Sequence, residues 1–397
     1  MKKCYDFDQY VDRKHSHAEK WNNMVSAGAK ENDYSILSMS IADMEFRCAD
    51  EILNALEEPI KNGVIGYDCP SEEFFSSFIK WQKEKNGWDI KKEWIVPVPG
   101  VVPGIANTVL TNTEKNDAVI INSPVYPPFF DVINMNSRTL VENVLIEREK
   151  DYIIDFDDFE KKIKENNVKV AILCSPHNPV GRVWTKDELE RYGKICLDNN
   201  VLIISDEIHS DLILKGYTHT PIATISEKLL QNTVTLTAPS KTFNIAGLAQ
   251  SVAIIPNKQI RERFINGLIG HGICHMASFA VVGFIAAYTY GKEWFEQCMK
   301  YIESNIDFAI DFIEKEIPKV KVKRPQATFL LWLDLSSINM EHEQLDQYLI
   351  NEGKLLLNSG ITYGNSADKF FRMNIACNRE MLTDALNRLK NAIDKLN

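Results

Sequence analysis

The chain has 397 residues, of which 45% are hydrophobic, and its 45 Lys and Arg against 55 Asp and Glu give a formal charge of −10. This length allows two or three domains with a sizeable core. The acidic balance, without a block of like charges, excludes the charge pattern expected for binding nucleic acid or an anionic membrane. Chemistry on a small molecule is favoured.

The N-terminus and the cysteines predict a cytoplasmic protein. The first eight residues, Met-Lys-Lys-Cys-Tyr-Asp-Phe-Asp, contain no apolar stretch, so no secretory signal is expected. The eight cysteines, at positions 4, 48, 69, 174, 196, 274, 298 and 377, are scattered singly with no C-x-x-C pair. This spacing is typical of a reduced protein rather than of one stabilised by disulfides.

Short apolar or β-branched runs alternate with helical stretches between about residues 90 and 260. Continuous runs at 118–122, 169–174, 201–205 and 233–237 suit strands that are covered on both faces of a parallel sheet. The clearest helix opens with a capping box made by Thr185 and Glu188 and extends to about Asp198. This alternation predicts a doubly wound α/β domain with a mostly parallel sheet.

The stretch 267–291 contains no Asp, Glu, Lys or Arg and is long enough to cross a bilayer. Its two histidines, five glycines and polar Ser and Thr positions disfavour a membrane span, and the upstream half around Gly270 and Gly272 is loop-like. We therefore expect a helix buried at a domain or subunit interface. His271, Cys274 and His275 also lie close together in this stretch. No fourth ligand completes the group, and no metal site is expected.

The C-terminal part mixes helices and strands. We predict a long helix over 292–316, a strand at 328–335, a helix near 342–352, a strand at 370–375 and a last helix from Arg379. This pattern predicts a smaller α+β domain. We divide the chain into an N-terminal segment that joins the small domain (1–48), a large domain (49–287) and the C-terminal small domain (288–397). No linker rich in Gly, Pro or Ser separates them, so close packing is expected.

Three polar side chains follow three of the predicted strands. Asn178, Asp206 and Lys241 should converge, because ligands of open α/β sheets bind outside the carboxyl ends of the strands. Taken singly, an Asn between prolines is commonly a turn residue, an Asp a helix cap and a Lys a surface charge. Their spacing is more distinctive, because the Asp follows the Asn by 28 residues and the Lys follows the Asp by 35.

This arrangement resembles the fold-type I pyridoxal phosphate (PLP) enzymes of the aspartate aminotransferase superfamily, over nearly the whole chain. Within it the chain is most similar to the MalY/PatB-type C–S lyases, often called cystathionine β-lyases. The similar strings are Ala-Asp-Met-Glu-Phe at 42–46, Ile-Gly-Tyr at 65–67, Ser-Pro-Val-Tyr at 123–126, Cys-Ser-Pro-His-Asn-Pro at 174–179, Ser-Asp-Glu-Ile-His at 205–209 and Ser-Lys-Thr-Phe-Asn at 240–244. The string at 205–209 is the most discriminating, because most of the superfamily has Tyr where this sequence has His209.

The resemblance implies pyridoxal 5′-phosphate as cofactor and gives catalytic roles to several residues. Lys241 would carry the cofactor as a Schiff base and later act as the base at the substrate Cα, which requires an amine with a lowered pKa. Asp206 would keep the pyridine nitrogen protonated, and Asn178 would bond to the phenolic oxygen of the ring. Tyr126 would stack on the ring, and His209 would also contact the cofactor. The alternatives are that Tyr126 is a core aromatic residue and that His209 is a structural histidine.

The phosphate of the cofactor needs backbone N–H groups at a helix N-terminus together with hydroxyl donors. The Val101 and Val102 amides and the Ser240 hydroxyl are the candidates in the chain itself. Two positions depart from the pattern of many aminotransferases: Ala249 replaces an Arg that pairs with the phosphate, and Ala238 replaces a hydroxyl residue. The phosphate charge must then depend more on the helix N-terminus and on the remaining hydroxyl groups.

Two further residues receive roles from the resemblance. Tyr67 would reach the phosphate of the neighbouring subunit and contact substrate, which implies a homodimer; its alternative is a core aromatic residue. Arg372 would bind the substrate α-carboxylate with two parallel hydrogen bonds. It lies in an otherwise apolar strand, where an unpaired charge is unfavourable, so either a ligand or an internal carboxylate must pair with it.

The activity implied by the resemblance is a β-lyase that cleaves cystathionine or other S-substituted cysteines to a thiol, pyruvate and ammonia. No second arginine is obviously placed for a side-chain carboxylate, which disfavours aspartate and glutamate as substrates. An aminotransferase acting on an amino acid would use the same residues, and the spacing does not separate the two activities. A PLP-binding regulatory protein is the third hypothesis.

Overall fold

The computed structural model describes residues 3–22, 33, 35–273 and 275–396. The strands in chain order are β1 (Leu37–Ser38), β2 (Ile95–Val98), β3 (Ala118–Ser123), β4 (Thr139–Val144), β5 (Ile146–Glu147), β6 (Tyr152–Ile153), β7 (Val170–Cys174), β8 (Leu202–Asp206), β9 (Thr233–Thr237), β10 (Ser251–Ile254), β11 (Lys321–Val322), β12 (Leu330–Asp334), β13 (Leu355–Leu356), β14 (Asn358–Ser359) and β15 (Phe370–Asn374).

The α-helices in chain order are α1 (Glu19–Asn22), α2 (Asp50–Asn62), α3 (Glu72–Asn86), α4 (Val101–Asn112), α5 (Pro128–Met135), α6 (Phe156–Glu165), α7 (Lys186–Asp198), α8 (Glu227–Gln231), α9 (Pro239–Thr242), α10 (Lys258–Gly270), α11 (Ser278–Tyr290), α12 (Lys292–Glu316), α13 (His342–Asn351) and α14 (Arg379–Asp394). Short 3₁₀ helices span Lys92–Trp94, Ile222–Thr224, Ala246–Leu248, Gly360–Tyr363 and Asn365–Ala367.

The large sheet has seven strands in the order β2-β10-β9-β8-β7-β3-β4. The run from β9 to β4 is parallel, whereas β10 pairs antiparallel with both of its neighbours. The four strands predicted from the sequence are the central ones, β3, β7, β8 and β9, and every residue in them is buried. Burial on both faces explains why these strands read as continuous apolar runs. The doubly wound, mostly parallel sheet is confirmed.

Helices cover both faces of this sheet. One apolar core contains residues of α4, α5 and α10, and another contains residues of α6 and α7. The predicted capping box of α7 is formed: the Glu188 amide donates to Thr185 Oγ1 at 3.2 Å, and the Thr185 amide donates to Glu188 Oε2 at 2.8 Å. A third core joins α2, α3, α11 and α12 to the smaller sheet.

The buried helix expected in the stretch 267–291 is α11, and the part around Gly272 that reads as a loop separates it from α10. The stretch contains the end of α10 and the whole of α11, whose buried residues lie on several of its sides. No helix within the described ranges is long and apolar enough to span a membrane. Cys274 lies outside the described residues, and those that are described contain no cluster of three or more metal-ligating side chains.

The C-terminal part forms a second, four-stranded antiparallel sheet in the order β11-β12-β15-β14. The predicted long helix is α12, the predicted strands are β12 and β15, and α13 and α14 are the predicted later helices. β1 pairs in parallel with β13, so the segment before the large sheet joins the C-terminal part. These elements place β15, which contains Arg372, opposite the carboxyl ends of the large-sheet strands.

Candidate active site

Three loops begin at the same level along one edge of the large sheet. Cys174 in β7 pairs with Asp206 in β8, which in turn pairs with Leu236 in β9. The loops that follow contain Asn178 and Lys241, while Asp206 itself ends β8. The structure therefore brings the predicted amide, acid and amine to one edge, as expected for strands that run parallel.

Lys241 belongs to α9, a helix of four residues directly after β9. Its Nζ donates a hydrogen bond to the carbonyl oxygen of Ala42 at 2.7 Å. Burial, helped by the positive charge of Arg372, lowers the pKa of Lys241 to about 8, although the negative charges of Asp43 and Asp206 oppose this effect. A lysine with this pKa is partly neutral near physiological pH and can serve as a nucleophile or a base.

Asp206 is a buried carboxyl group, 3% exposed, without an ion pair inside the described ranges. It accepts one hydrogen bond, from the Ile208 amide at 3.1 Å. Burial raises the pKa of Asp206 to about 7, and the charge of Lys241 lowers it only slightly. A buried carboxylate of this kind is stabilised when a cation or a proton donor lies beside it.

Arg372 is 2% exposed and has no carboxylate partner among the residues that the structure describes. Its Nη1 donates to Asn178 Oδ1 at 3.1 Å, its Nη2 donates to the Ser40 carbonyl at 2.8 Å, and its Nε is buried without a partner. The guanidinium also lies 5.4 Å from the ring centre of Tyr363. Of the two partners expected from the sequence, the internal carboxylate is thus absent from the described chain, and an anionic ligand fits.

Tyr126 and His209 lie close enough to these charges for the pKa of each to respond to them. Burial raises the pKa of Tyr126 to about 12, with Asp206 adding to this effect and Arg372 opposing it, so the phenol is neutral at physiological pH. Burial lowers the pKa of His209 to about 3, helped by Lys241 and Arg372, so its imidazole is neutral. The buried His209 Nδ1 has no hydrogen-bond partner, which disfavours a purely structural histidine.

The first turn of α4 offers two free amides. No side chain caps this helix, the first amide bonded within it is that of Gly104, which donates to the Gly100 carbonyl at 3.2 Å, and Pro103 has no N–H. The amides of Val101 and Val102 therefore remain available to an anion. Gly104 lets the helix approach β9, because a Cβ there would lie 2.5 Å from a Leu236 methyl group.

Ser240 and Tyr67 differ in their relation to this anion site. Ser240 follows β9 by three residues and is half-buried in α9, at the end of the strand that the first turn of α4 approaches. Tyr67 is 86% exposed, and its ring lies 4.7 Å from that of His275. Within one chain the structure thus does not bring Tyr67 to the other site residues. Ala238 is buried at the start of α9 and provides no hydroxyl group.

No role was predicted for the backbone of residues 39–46, which the structure places against the site. The carbonyl groups of Ala42 and Ser40 bond to Lys241 and Arg372. Asn244 and Asn374 bind the same segment through their side chains. The string at 42–46 was a usable signal, but it does not reveal which atoms act, since backbone carbonyls are present in every residue.

The donor set fits the predicted cofactor on structural grounds. An amine of lowered pKa suits the cofactor aldehyde, a buried carboxyl group without an ion pair suits a protonated ring nitrogen, and two free helix amides suit a phosphate. Unpartnered buried nitrogens of His209 and Arg372 add further places for polar contacts. Neither nitrogen, His209 Nδ1 nor Arg372 Nε, has a hydrogen-bond partner among the residues that the structure describes.

The chain matches the model of the family described as aminotransferase class I and II over residues 43–389. The protein belongs to this family. The predicted fold-type I architecture is confirmed by this match and by solved structures that resemble the chain over nearly its whole length.

Within the aminotransferase class I and II family, a relative named cystathionine beta-lyase PatB, from Bacillus subtilis (strain 168), is 38% identical over 388 residues, covering 98% of this chain and 100% of the relative. The structure of cystalysin from Treponema denticola, which contains a pyridoxal 5′-phosphate cofactor, has a TM-score of 0.96 and 37% identity and covers 100% of both chains. A PLP-bound C–S lyase from Staphylococcus hominis has a TM-score of 0.89 and 32% identity, covering 98% of this chain and 99% of that one. The resemblance to the MalY/PatB-type group is confirmed.

Proposed function

We propose that the protein is a PLP-dependent C–S β-lyase that cleaves cystathionine or other S-substituted cysteines to a thiol, pyruvate and ammonia. The observation that carries the proposal is the buried Arg372 guanidinium, which has no carboxylate partner in the described part of the chain and acts electrostatically on Lys241. The α-carboxylate of an amino acid supplies the missing negative charge at a distance from the amine that the fold sets. The names of the relative and of the two solved structures support a lyase.

In this proposal the ring of the cofactor is held by Lys241, Asp206, Asn178, His209 and Tyr126. Its phosphate is held by the Val101 and Val102 amides, Ser240 and Tyr67. When bound, PLP supplies an electron sink for the bonds that break at the substrate Cα. The buried Asp206 carboxylate would stabilise positive charge at the ring nitrogen, since it forms no ion pair within the described residues and burial raises its pKa.

The remaining steps belong to side chains of the protein. Arg372 orients the substrate carboxylate, and the Lys241 amine removes the proton from Cα, for which its pKa of about 8 is well suited. The C–S bond then breaks and the sulfur leaves with its electron pair as a thiolate. Water completes the conversion of the remaining three-carbon fragment to pyruvate and ammonia. The neutral Tyr126 and His209 do not compete for these protons at physiological pH.

We also propose a homodimer in which Tyr67 acts on the site of the neighbouring subunit. The support is the exposure of the loop before α3, where Val64, Ile65 and Tyr67 present apolar side chains to solvent. A second copy of the chain would cover this surface. Light scattering of the active enzyme should report twice the mass of one chain, and a fully active monomer would contradict the proposal.

The division into 1–48, 49–287 and 288–397 remains our proposal for the domains, and the pairing of β1 with β13 supports joining the N-terminal segment to the C-terminal part. A cytoplasmic location also remains a proposal. It is supported by the cysteines, since all seven that the structure describes are free thiols.

The test of the activity is an assay with purified, PLP-loaded protein. Cystathionine and cysteine are supplied in parallel, with and without a keto acid, and pyruvate and thiol are measured. We expect both products from an S-substituted cysteine without any keto acid. Amino-group transfer that requires the keto acid, with no thiol released, would instead identify an aminotransferase. A loaded protein that catalyses neither reaction would favour the regulatory hypothesis.

A further inference from the structure

The backbone of residues 39–46 connects the two charged side chains that face each other across the site. Ala42 accepts the hydrogen bond of the Lys241 amine, and Ser40 accepts that of the Arg372 guanidinium. Any displacement of this segment therefore moves the acceptors of both cationic groups. We call residues 39–46 the connecting segment.

Asn374 holds the connecting segment from the small sheet. It lies two residues after Arg372 in β15, and its side-chain Nδ2 donates to the carbonyl groups of Ile41 and Asp43, each at 2.6 Å. Its own amide donates to the Met39 carbonyl at 2.8 Å. The two carbonyls bound by the side chain flank Ala42, so Asn374 fixes the peptide groups on either side of the acceptor of Lys241.

Asn244 holds the connecting segment from the large domain. It lies three residues after Lys241, and its Oδ1 accepts from the Met44 amide at 2.9 Å. Its Nδ2 donates to the carbonyls of Met44 at 3.1 Å and Phe46 at 2.8 Å. Its φ of 55° lies in the left-handed region, which Asn tolerates better than most residues. The connecting segment is therefore held by two asparagines, one shortly after Arg372 and one shortly after Lys241 in the chain.

We propose that Asn374 and Asn244 are positioning residues, which clamp the connecting segment so that the Ala42 carbonyl holds the amine of Lys241 in place for proton transfer. The catalytic part of this inference, the proton transfer by Lys241, rests on the proposed function. A lysine side chain has four rotatable bonds, and one well-placed acceptor removes much of its freedom. The amine is then kept beside Arg372, where the proposal places the substrate.

A first test measures the Lys241 amine without turnover. Cofactor-free protein is treated with an acylating reagent over a range of pH, and modification of Lys241 is followed by peptide mass spectrometry. The Ala42 carbonyl stabilises the charged ammonium, so Asn374→Ala should move the modification midpoint to lower pH, by about half a unit or more. The charged groups that act on Lys241 are Arg372, Asp43, Asp206 and Glu19. Release of the segment would also weaken the effect of Asp43, which shifts the midpoint in the same direction.

Asn305 provides a matched control. It is buried in α12, and its Nδ2 donates to the carbonyls of Ile375 and Cys377 at 3.0 and 2.8 Å, but it does not bond to the connecting segment. Asn305→Ala should lower stability without moving the Lys241 midpoint. In the loaded enzyme, Asn374→Ala should lower kcat about tenfold with a smaller change in KM. The lost side-chain bonds flank Ala42, whereas the backbone bond from residue 374 to the Met39 carbonyl, next to the Ser40 acceptor of Arg372, is kept.

Asn244→Gly is the second variant, for the case that Asn374→Ala does not fold. Glycine accepts the positive φ, so the change removes three hydrogen bonds without adding backbone strain. A folded variant of either residue with an unchanged Lys241 midpoint would overturn the inference. If the wild-type protein releases no thiol but the variants show the expected midpoint shift, the proposed function is contradicted. The positioning role of the two asparagines is then still supported.

Discussion

Two adjacent carboxyl groups at the end of β8 have opposite surroundings. Asp206 faces the site and forms no ion pair in the part of the chain that the structure describes, whereas Glu207 lies on the other side of the backbone. Glu207 Oε2 lies 2.9 Å from His219 Nε2, and its Oε1 accepts from Ser205 Oγ at 2.9 Å. Both groups are buried, so burial alone does not identify the functional acid. The acid proposed to act on the cofactor is instead marked by its lack of an ion-pair partner within the described residues.

The buried arginines show the same contrast. Arg182 Nη2 donates to both carboxylate oxygens of Glu188, at 2.5 and 2.7 Å. Within the described residues, Arg372 is bonded to an amide oxygen and a backbone carbonyl and to no carboxylate. The site region thus keeps charges that the fold leaves unpaired, and the surrounding region pairs its charges internally. Variants in each region should therefore affect different measurements.

The largest effect should come from Lys241→Ala in the site region. Removal of the amine takes away both the attachment point for the cofactor and the base, so kcat should fall by about 10³-fold or more. Pyruvate release from an S-substituted cysteine is the measurement. Activity above about one tenth of wild type would show that another group acts as the base.

Asp206→Asn should stabilise the cofactor-free protein while impairing the enzyme. The pKa of Asp206 is raised from 3.8 to about 7, so its contribution to stability is present below pH 4 and is lost as pH rises towards 7. An uncharged amide avoids this loss, and the gain should reach up to about 4 kcal/mol above pH 7. Urea unfolding of both proteins at pH 5 and pH 8 tests this. An equal difference at the two pH values would contradict the role given to burial.

Arg372→Lys should raise KM by about 10²-fold, because a lysine replaces two parallel hydrogen bonds to the carboxylate with a single point charge. The control is Arg182→Lys, which changes a buried arginine that is already paired within the chain. That variant should lose stability and keep its KM. If the two variants had similar KM values, carboxylate binding would have to be assigned elsewhere.

The smallest effect is expected from Glu207→Gln. The amide keeps the shape of the side chain but weakens its interactions with His219 and Ser205, so the free energy of unfolding should fall by about 1–3 kcal/mol. Lyase activity at a temperature well below unfolding should stay within a few-fold of wild type. A large loss of kcat in a stable protein would remove the distinction between the two adjacent acids.

Much of the large sheet was predictable because its central strands are covered on both faces. β10 was missed, because a run of four buried residues does not reveal that it enters the sheet antiparallel, between β2 and β9. The break between α10 and α11 was indicated by Gly270 and Gly272, but the extension of α10 as far as Gly270 was missed. A stretch without charges indicates burial, but it does not show where the hydrogen bonding of a helix stops.

The site was predictable only where side-chain chemistry marks it. Asn178, Asp206, Lys241 and Arg372 are polar residues beside apolar strands, and the structure brings them together. The Ala42 carbonyl leaves no such mark, because only the fold decides which backbone oxygen faces the lysine. Tyr67 is exposed in one chain, so neither the sequence nor a single subunit supplies its partner.

The unpaired Asp206 carboxyl group should also affect how quickly the cofactor-free protein is degraded in a cell. Its charge destabilises the cofactor-free fold, and in the proposed site the cofactor would neutralise it, which would make folding and cofactor binding one linked equilibrium. Chains made when PLP is scarce would unfold more often and reach proteases more readily than loaded ones. The amount of this enzyme should therefore follow the cofactor supply, even at a constant rate of synthesis.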